Sequence, residues 1–482
     1  MDEASAEVQM VKSQAVPVAV VARPGTGYPA DPPFAPPNPV YEMVEAALRD
    51  LGLDRARAGT PEWNPLGDLI DPGDRVLIKV GLGSSRSADR NQPLYGEPLL
   101  CSSTPGAVLR PILDYAQRAA GKSGHVTIAD TPPEGCNIGE LLRHTGIDSI
   151  IADSYAHGRA VEFIDLRTFQ LVPHMALDDA QHAGRSYNLG VLRRERLHGD
   201  PLGYKVLDFD ERSRFGEVER RAPRLRCHRG NALAPLLHHA GGRHEYAVGG
   251  TVLAADVVIN LAKLKTDQHA GVALSLASAL SLNSEPHWLP RYTAGTPDED
   301  GDEYPSRPPL GARIAERLQR LPLAGALSLT ARAPRLSAPQ NGLPGGYIVE
   351  GAWEGNDTLW RAALDLNFLL LHADKAGRMT ETPQRRYLTL LDGIVGGEGD
   401  GPLALTPRRA GLLVAGQDPV LTDLVAARLM GMEPARVPMI AQALKRPLLT
   451  SSREAALVLS VSGTPGGGAF IPPSTWPRLL RK

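Results

Sequence analysis

Cysteine is scarce: Cys101, Cys136 and Cys227 are the only three in 482 residues, far apart and without a CxxC pair. That spacing excludes a disulfide framework and argues against an iron–sulfur, ferredoxin-type or structural zinc module. Aromatic residues make up 5% of the chain, too few to favour stacking on nucleic-acid bases. Net charge is small, formally −2, so there is no bulk pull toward nucleic acid or an anionic membrane. No apolar window reaches the length of a membrane span. The run Val16 to Ala22 is too short and wrongly flanked for a signal peptide, which leads to the expectation of a cytoplasmic protein. No Gly-x-Gly-x-x-Gly follows that run, no Gly-x-Ser-x-Gly elbow occurs, and the Walker pattern is missing.

What is present is an alternation of buried-strand and helix patterns, which predicts an α/β fold: a mostly parallel sheet with helices on both faces. Strands are expected at Val16–Ala22, Arg75–Val80, His125–Ala129, Glu162–Leu166, a central run from Val257, Tyr387–Leu391, Gly411–Ala415 and Ala455–Val461. Helices are expected at Tyr41–Leu51, from Ser103-Thr104-Pro105 to Ala120, at Arg307–Leu321, and at Asn356–Ala373. The last carries Arg361, Asp365 and His372 near one face. The expected organisation is an N-terminal strand and Pro-rich arm (1–38), a first α/β part (39–170), an Arg-rich insertion (171–250) and a second α/β part (251–482). The Gly/Pro-rich stretch Arg23–Pro39 reads as an arm or lid, and Arg332–Gly346 as a connector.

The central stretch, Asp256-Val-Val-Ile-Asn-Leu-Ala-Lys-Leu-Lys-Thr-Asp-Gln-His269, passes from apolar residues to Lys263, Lys265, Asp267 and His269, after which helical spacing resumes through Val272, Leu276 and Leu280. Open α/β sheets keep their ligands beyond the carboxyl ends of strands. Lys79, Asp130 and Asp392 also close expected strands. Neighbouring strand ends of this kind would form a cleft of acids and amines with perturbed pKa values. The loop Gly81–Ser85 could hold an anion through backbone N–H groups. The Gly393–Pro402 segment would let backbone approach a ligand while presenting Glu398 and Asp400.

These segments resemble the domain of unknown function 362 family from about Pro39 to Leu444. The likeness is carried by Leu77-Ile-Lys79, Ile128-Ala-Asp-Thr-Pro132, the stretch Asp256–Lys265, Asp392-Gly-Ile-Val-Gly-Gly-Glu-Gly-Asp-Gly-Pro-Leu403, Asp418-Pro-Val-Leu-Thr-Asp423 and Leu429-Met-Gly431. Gly301–Pro305 and Gly355–Arg361 are similar to a subgroup associated with polysaccharide or specialised-metabolite gene clusters. The resemblance implies an α/β fold and no established reaction. Relatives follow Lys-x-Lys-Thr with histidine where this chain has Asp267. A Lys-Asn pair gives way to Ala277-Ser278, and Val80-Gly81 stands for Pro-Asn. A later basic cluster is replaced by Pro286, Arg291 and Tyr292, leaving His287.

The expectation is a biosynthetic enzyme without a cofactor, acting by proton transfer on a small polar, anionic intermediate: elimination, isomerisation or cyclisation with loss of an oxyanion. The catalytic candidates are Asp130 and Asp392 as bases, with Lys263 and Lys265 stabilising charge. Substrate-binding candidates are Lys79, Thr131, His269, His287, Arg361, Glu398 and Asp400. A contrasting reading is a partner or scaffold subunit of a heteromeric complex, or a homodimer. A divalent-metal alternative would use Asp302 and Glu303 with Glu398 and Asp400, hard oxygen donors suited to Mg or Ca.

Overall fold

The computed structural model describes residues 15–84, 94–173, 192–227, 233–306, 350–402, 404–449, 457–466 and 468–481. The expected helix Arg307–Leu321, the connector Arg332–Gly346 and Ser85 of the glycine–serine loop lie outside them. In chain order the strands are β1 (Val16–Ala22), β2 (Arg75–Val80), β3 (His125–Asp130), β4 (Glu162–Asp165), β5 (Phe169–Pro173), β6 (Leu192–Arg196), β7 (Tyr204–Asp208), β8 (Leu225–Arg226) and β9 (Glu245–Gly249). They continue with β10 (Val257–Asp267), β11 (Gly271–Ala273), β12 (Tyr292–Thr293), β13 (Arg386–Asp400), β14 (Ala404–Arg408), β15 (Leu412–Gly416) and β16 (Leu457–Ser462).

The main sheet runs β16-β1-β15-β13-β10-β2-β3-β4, with β11 added to β10 and β14 to β13. From β13 to β4 every neighbour is parallel, whereas β15 is antiparallel to both β13 and β1. The fold is therefore α/β, mostly parallel within a mixed sheet. Its strands are Val-, Ile- and Leu-rich because both faces are covered. On one face, helices Pro39–Asp50 and Gly106–Ala120 pack Val44, Leu48, Ile112 and Ala116 against Ile78, Ile259 and Leu388. On the other, helices Leu359–His372 and Pro419–Leu429 pack Leu364 and Leu421 against Leu77, Val258 and Val414.

Two of the strands outrun their expected lengths. β10 continues through Lys263 and Lys265 to Asp267, and turns back as β11 before a short helix at Ser275–Ser278. β13 carries the glycine-rich segment as strand to Asp400, paired with β14. Close packing explains those glycines: a Cβ at Gly393 would meet Leu264 Cδ2 at 2.6 Å, and one at Gly396 the Leu264 carbonyl at 2.7 Å. The two strands are pressed together where a register shift separates Lys263 from Lys265.

The described part of 171–250 shares the core of the second half. Leu207, Phe209, Phe215, Tyr246 and Val248 join the same apolar cluster as Val258 and Leu364, and β7 pairs with β9. Asp365 ties helix Leu359–His372 to this region, accepting from Ser213 Oγ at 2.5 Å, Arg214 N at 2.9 Å and Tyr246 OH at 3.0 Å. Among the described residues no helix is long and apolar enough to cross a membrane.

His239 is fully buried beside the rings of Phe215, His244 and Tyr246. Burial first, and His244 second, push its pKa down to about 3. Below the ordinary histidine value of about 6.5, the unfolded chain takes up a proton that the folded chain refuses, so stability falls as pH drops. Urea unfolding between pH 7.5 and 5 should show this loss, and His239→Phe should flatten it by up to roughly 1.4 kcal/mol per pH unit. Identical slopes for the two proteins would refute the assignment.

Candidate functional site at the carboxyl rim of the sheet

Two lysine–aspartate pairs stand at the carboxyl ends of the parallel strands. β10 and β13 run in register, which sets Lys263 opposite Asp392; their Nζ and Oδ2 atoms are 2.7 Å apart. Tyr28, from the Gly/Pro-rich arm, closes this pair. Its hydroxyl lies 2.9 and 2.8 Å from the two Asp392 oxygens and 2.9 Å from Lys263 Nζ, and accepts from Val395 N at 3.1 Å. Ile394 N adds a bond to Asp392 Oδ1 at 3.0 Å. Burial, and then the Asp392 charge, hold the Tyr28 hydroxyl well above its usual pKa.

The second pair is Lys79 with Asp130, 3.2 Å apart. Asp130 also accepts from Leu82 N and Ser281 Oγ, both at 2.7 Å. Lys79 donates to Ser278 Oγ at 2.7 Å, and Ser278 donates to Asn260 Oδ1 at 2.9 Å. Asn260 donates to Tyr387 OH at 3.0 Å, next to Ser275 Oγ. Asp423 ends this buried string by accepting the Ser275 and Leu276 N–H groups at 2.9 Å; burial pushes its carboxyl up to about 8. The Ser278 hydroxyl, standing where the family resemblance expects the asparagine of a Lys-Asn pair, thus accepts a hydrogen bond from Lys79. Burial lowers the Lys79 pKa against the opposing pull of Asp130. All four members of the two pairs are at most 2% exposed.

Lys265 differs from those lysines. It is partly exposed. Its Nζ makes one hydrogen bond, to the Ser102 carbonyl at 3.1 Å, and among the described residues it has no carboxylate within ion-pair distance. Burial of the amine lowers its pKa, opposed by the charge of Asp267. Lys263 and Asp130 also act on it, so Lys265 sits between the two pairs.

From Lys265 a band of polar groups continues along the rim. Asp267 Oδ1 accepts from His269 N at 2.8 Å and lies 3.9 Å from His269 Nδ1. Burial lowers the His269 pKa, with Asp267 opposing and Arg291 reinforcing. The β8–β12 register, Tyr292 opposite Arg226, brings Arg291 beside Cys227. The Cys227 Sγ is 3.9 Å from His287 Nδ1, and His287 Nε2 is 3.5 Å from Glu134 Oε1. The His287 ring stacks on Phe169 with centroids 5.2 Å apart. Glu134 follows Asp130 and Thr131 on the loop leaving β3, which returns the band to its start. Arg167 fixes that loop. Fully buried, it is paired with Asp165 at 2.6 Å and donates to the carbonyls of Pro133, Glu134 and Cys136 at 3.0 to 3.3 Å.

The structure thus gathers Lys79, Asp130, Thr131, Lys263, Lys265, His269, His287 and Asp392 at one rim. It places the other candidates elsewhere. Arg361 is held by Glu217 and the Arg214 carbonyl, both at 2.7 Å, and by Asp357 at 3.1 Å; it braces helix Leu359–His372. Glu398 accepts from Arg408 and Ile471 N, each at 3.0 Å, and Asp400 from Ser474 N at 2.7 Å, so both fasten the C-terminal segment. Asp302 organises its own loop, accepting from Thr293 N, Thr358 Oγ1 and Asp357 N at 2.5 to 2.7 Å, and burial pushes its carboxyl up to about 6. Glu303 accepts from Gly295 N at 3.0 Å. Among the described residues no three His, Cys, Asp or Glu side chains gather as a metal-holding group.

The Gly81–Gly83 loop cannot cradle an anion as expected. Gly81 N donates to Thr104 Oγ1 and the Leu261 carbonyl, Leu82 N to Asp130, and Gly83 N to Ser103 Oγ. The hydroxyls expected to cap the following helix clamp this loop, and no side chain caps that helix. Tyr28, Arg167, Glu134 and Arg291 carried no assigned role in the sequence, because a residue far along the chain reveals its partners only once the strands are laid side by side.

The model of the family described as Domain of unknown function (DUF362) matches residues 224–428, the span holding β10, β13, β15 and their lysines and acids. No curated protein and no solved structure matches the chain.

Lys263→Met leaves Asp392 buried without its counter-charge and should destabilise the fold by roughly 3–5 kcal/mol. Adding Asp392→Leu should recover a large part of that loss. Denaturant unfolding of the single and double variants reads both values; a single variant within about 1 kcal/mol of wild type would show that the pair is not a brace.

Proposed function

We propose that this chain, a member of the DUF362 family, is a cytoplasmic biosynthetic enzyme that moves a proton on a small polar, anionic intermediate at the carboxyl rim of its sheet. The observation that carries this reading is Lys265: a partly exposed amine with lowered pKa and a single backbone hydrogen bond, set between two buried ion pairs. A lowered amine pKa raises the fraction of free base near neutral pH, which is what a general base requires. Its conjugate ammonium, once formed, faces Asp267 and stabilises the enolate or departing oxyanion it has just created.

Asp130 and Asp392 take the supporting role. Their oxygens are occupied by Lys79, Ser281 and Leu82 N in one case, and by Lys263, Tyr28 and Ile394 N in the other. They fix the strand ends and the field around Lys265. Elimination, isomerisation and cyclisation all need this pairing of a base with a charge stabiliser, and the polar band from His269 to Glu134 offers the substrate its remaining contacts. A second reading, a subunit completed by a protein partner, draws on the edge strand β16, where Val458, Leu459 and Val461 are about half exposed (48–51%).

Reductive ¹³C-methylation of the full chain, with Lys265→Met to assign the resonance, tests the enzyme reading. The Lys265 signal should titrate below those of exposed lysines. In incubations with small-molecule extracts, Lys265→Met should lose at least about 100-fold of any turnover, the scale of one positioned base. A Lys265 signal titrating at the ordinary lysine value of about 10.4 would end its role as the base.

A further inference from the structure

Further along the rim from Lys265 stand two charged groups whose hydrogen-bonding needs are not fully met by the described residues. Arg291 has its backbone fixed, with its N–H on the Arg226 carbonyl at 2.8 Å and its carbonyl on Asn356 Nδ2 at 2.9 Å. Its guanidinium makes no hydrogen bond or ion pair among the described residues, and Nε is buried without a partner. Glu134 is 9% exposed, and its Oε1 is buried without a hydrogen-bond partner, with only His287 Nε2 nearby at 3.5 Å. Thr131, 8% exposed on the same loop, has a buried and unpartnered Oγ1. Arg291 and Glu134 flank one thiol: the first lies beside Cys227 across the β8–β12 ladder, and the second reaches it through His287. Yet they form no ion pair with each other.

A guanidinium whose buried Nε lacks a partner and a buried carboxylate that share a wall without pairing are expensive in the empty protein. The site becomes satisfied when one molecule supplies an anion to the first and a donor cation to the second. The nearby charges also limit what that molecule can be. Glu134 and Asp267 offset Arg291 and Lys265, and Lys79 and Lys263 are already neutralised by their aspartates. A dianion such as a phosphate monoester would meet no excess of positive charge.

We propose that the substrate is an amino-acid-like zwitterion, its carboxylate bound by the Arg291 guanidinium and its ammonium by Glu134 Oε1. This rests on the rim being a substrate site, and it names the class of molecule that site takes. Arg291 suits the carboxylate because its planar fork can donate two parallel N–H bonds. Thr131 Oγ1 offers the ammonium a second acceptor. The carbon between the two charged groups would then lie along the band that leads to Lys265.

The test uses the full chain at pH 8 and ligand-detected NMR titration. The probes are glycine, β-alanine, 4-aminobutyrate and 5-aminopentanoate, each compared with the carboxylate and the alkylamine of the same length. One member of the series should bind at least about tenfold tighter than both of its controls. Glu134→Gln should lower it to the carboxylate's affinity, and Arg291→Met to the amine's. Both variants should melt no lower than wild type, since each removes an unmet charge; a large fall in Tm would show a structural role and overturn the proposal. Carboxylates binding as tightly as their amino acids, with Arg291→Met abolishing both, would also overturn it while leaving the rim as an anion site. No binding by any probe would overturn it too, and the Lys265 titration then decides separately whether the enzyme reading survives.

Discussion

Everything at the rim depends on the parallel register of β10 with β13, which sets a lysine opposite an aspartate at the point where both strands leave the apolar core. In a parallel pair, residues opposite one another share a face, so Lys263 and Asp392 meet with no freedom to do otherwise. Removing two charges from water is expensive, and the arrangement is tolerable because further hydrogen bonds support it: Tyr28 bridges the pair, and Ile394 N donates to Asp392 Oδ1. Tyr28 comes from an arm near the start of the chain, so the same pair also fastens that arm over the strand ends. Lys79 and Asp130 repeat the device on the next two strands, with Ser278 and Ser281 in place of the tyrosine.

A consequence is a division of labour among groups that look alike in the sequence. Lys79, Lys263 and Lys265 are all lysines at strand ends, but two are neutralised and sealed, and the third is neither. The register shift between Lys263 and Lys265 makes the difference. It carries Lys265 out of line with the Asp392 side chain and toward the Ser102 carbonyl, leaving the amine under-solvated and, among the described residues, without a carboxylate at ion-pair distance. Depressing an amine's pKa takes this combination of burial and incomplete compensation.

Much of the fold was legible because buried parallel strands announce themselves: Val76–Ile78 and Val126–Ile128 are runs rich in β-branched residues bounded by turns, and the ends of β2 and β3 were read to within a residue. The lengths of β10 and β13 were not, because lysines and glycines are poor strand formers in isolation. Here β10 and β13 pair with each other, and the absence of a Cβ at Gly393 and Gly396 is what lets Leu264 and its backbone lie against them. Similarly, Arg361, Glu398 and Asp400 carry the same charges as site residues and sit in equally suggestive motifs. Only their partners, Glu217, Arg408 and Ser474, distant in sequence, show that they are tied up in holding the structure.

The contrast between satisfied and unsatisfied charge is therefore the sharper guide to where this molecule meets another. The acids and amines of the two sealed pairs, and the guanidiniums of Arg167 and Arg361, have their hydrogen bonds supplied from within. Among the described residues, Arg291 Nε, Glu134 Oε1 and Thr131 Oγ1 have no hydrogen-bond partner and Lys265 Nζ has one, and all four residues belong to the same rim. Arg167 holds the Pro133–Cys136 carbonyls and so keeps Glu134 where it is, while the ladder to β8 keeps Arg291 where it is. A rigid frame that holds opposite charges apart pays the desolvation penalty before any ligand arrives, which is the sense in which a binding site is preorganised. If the frame were soft, the guanidinium and the carboxylate would collapse onto each other and the rim would have no reason to recognise anything.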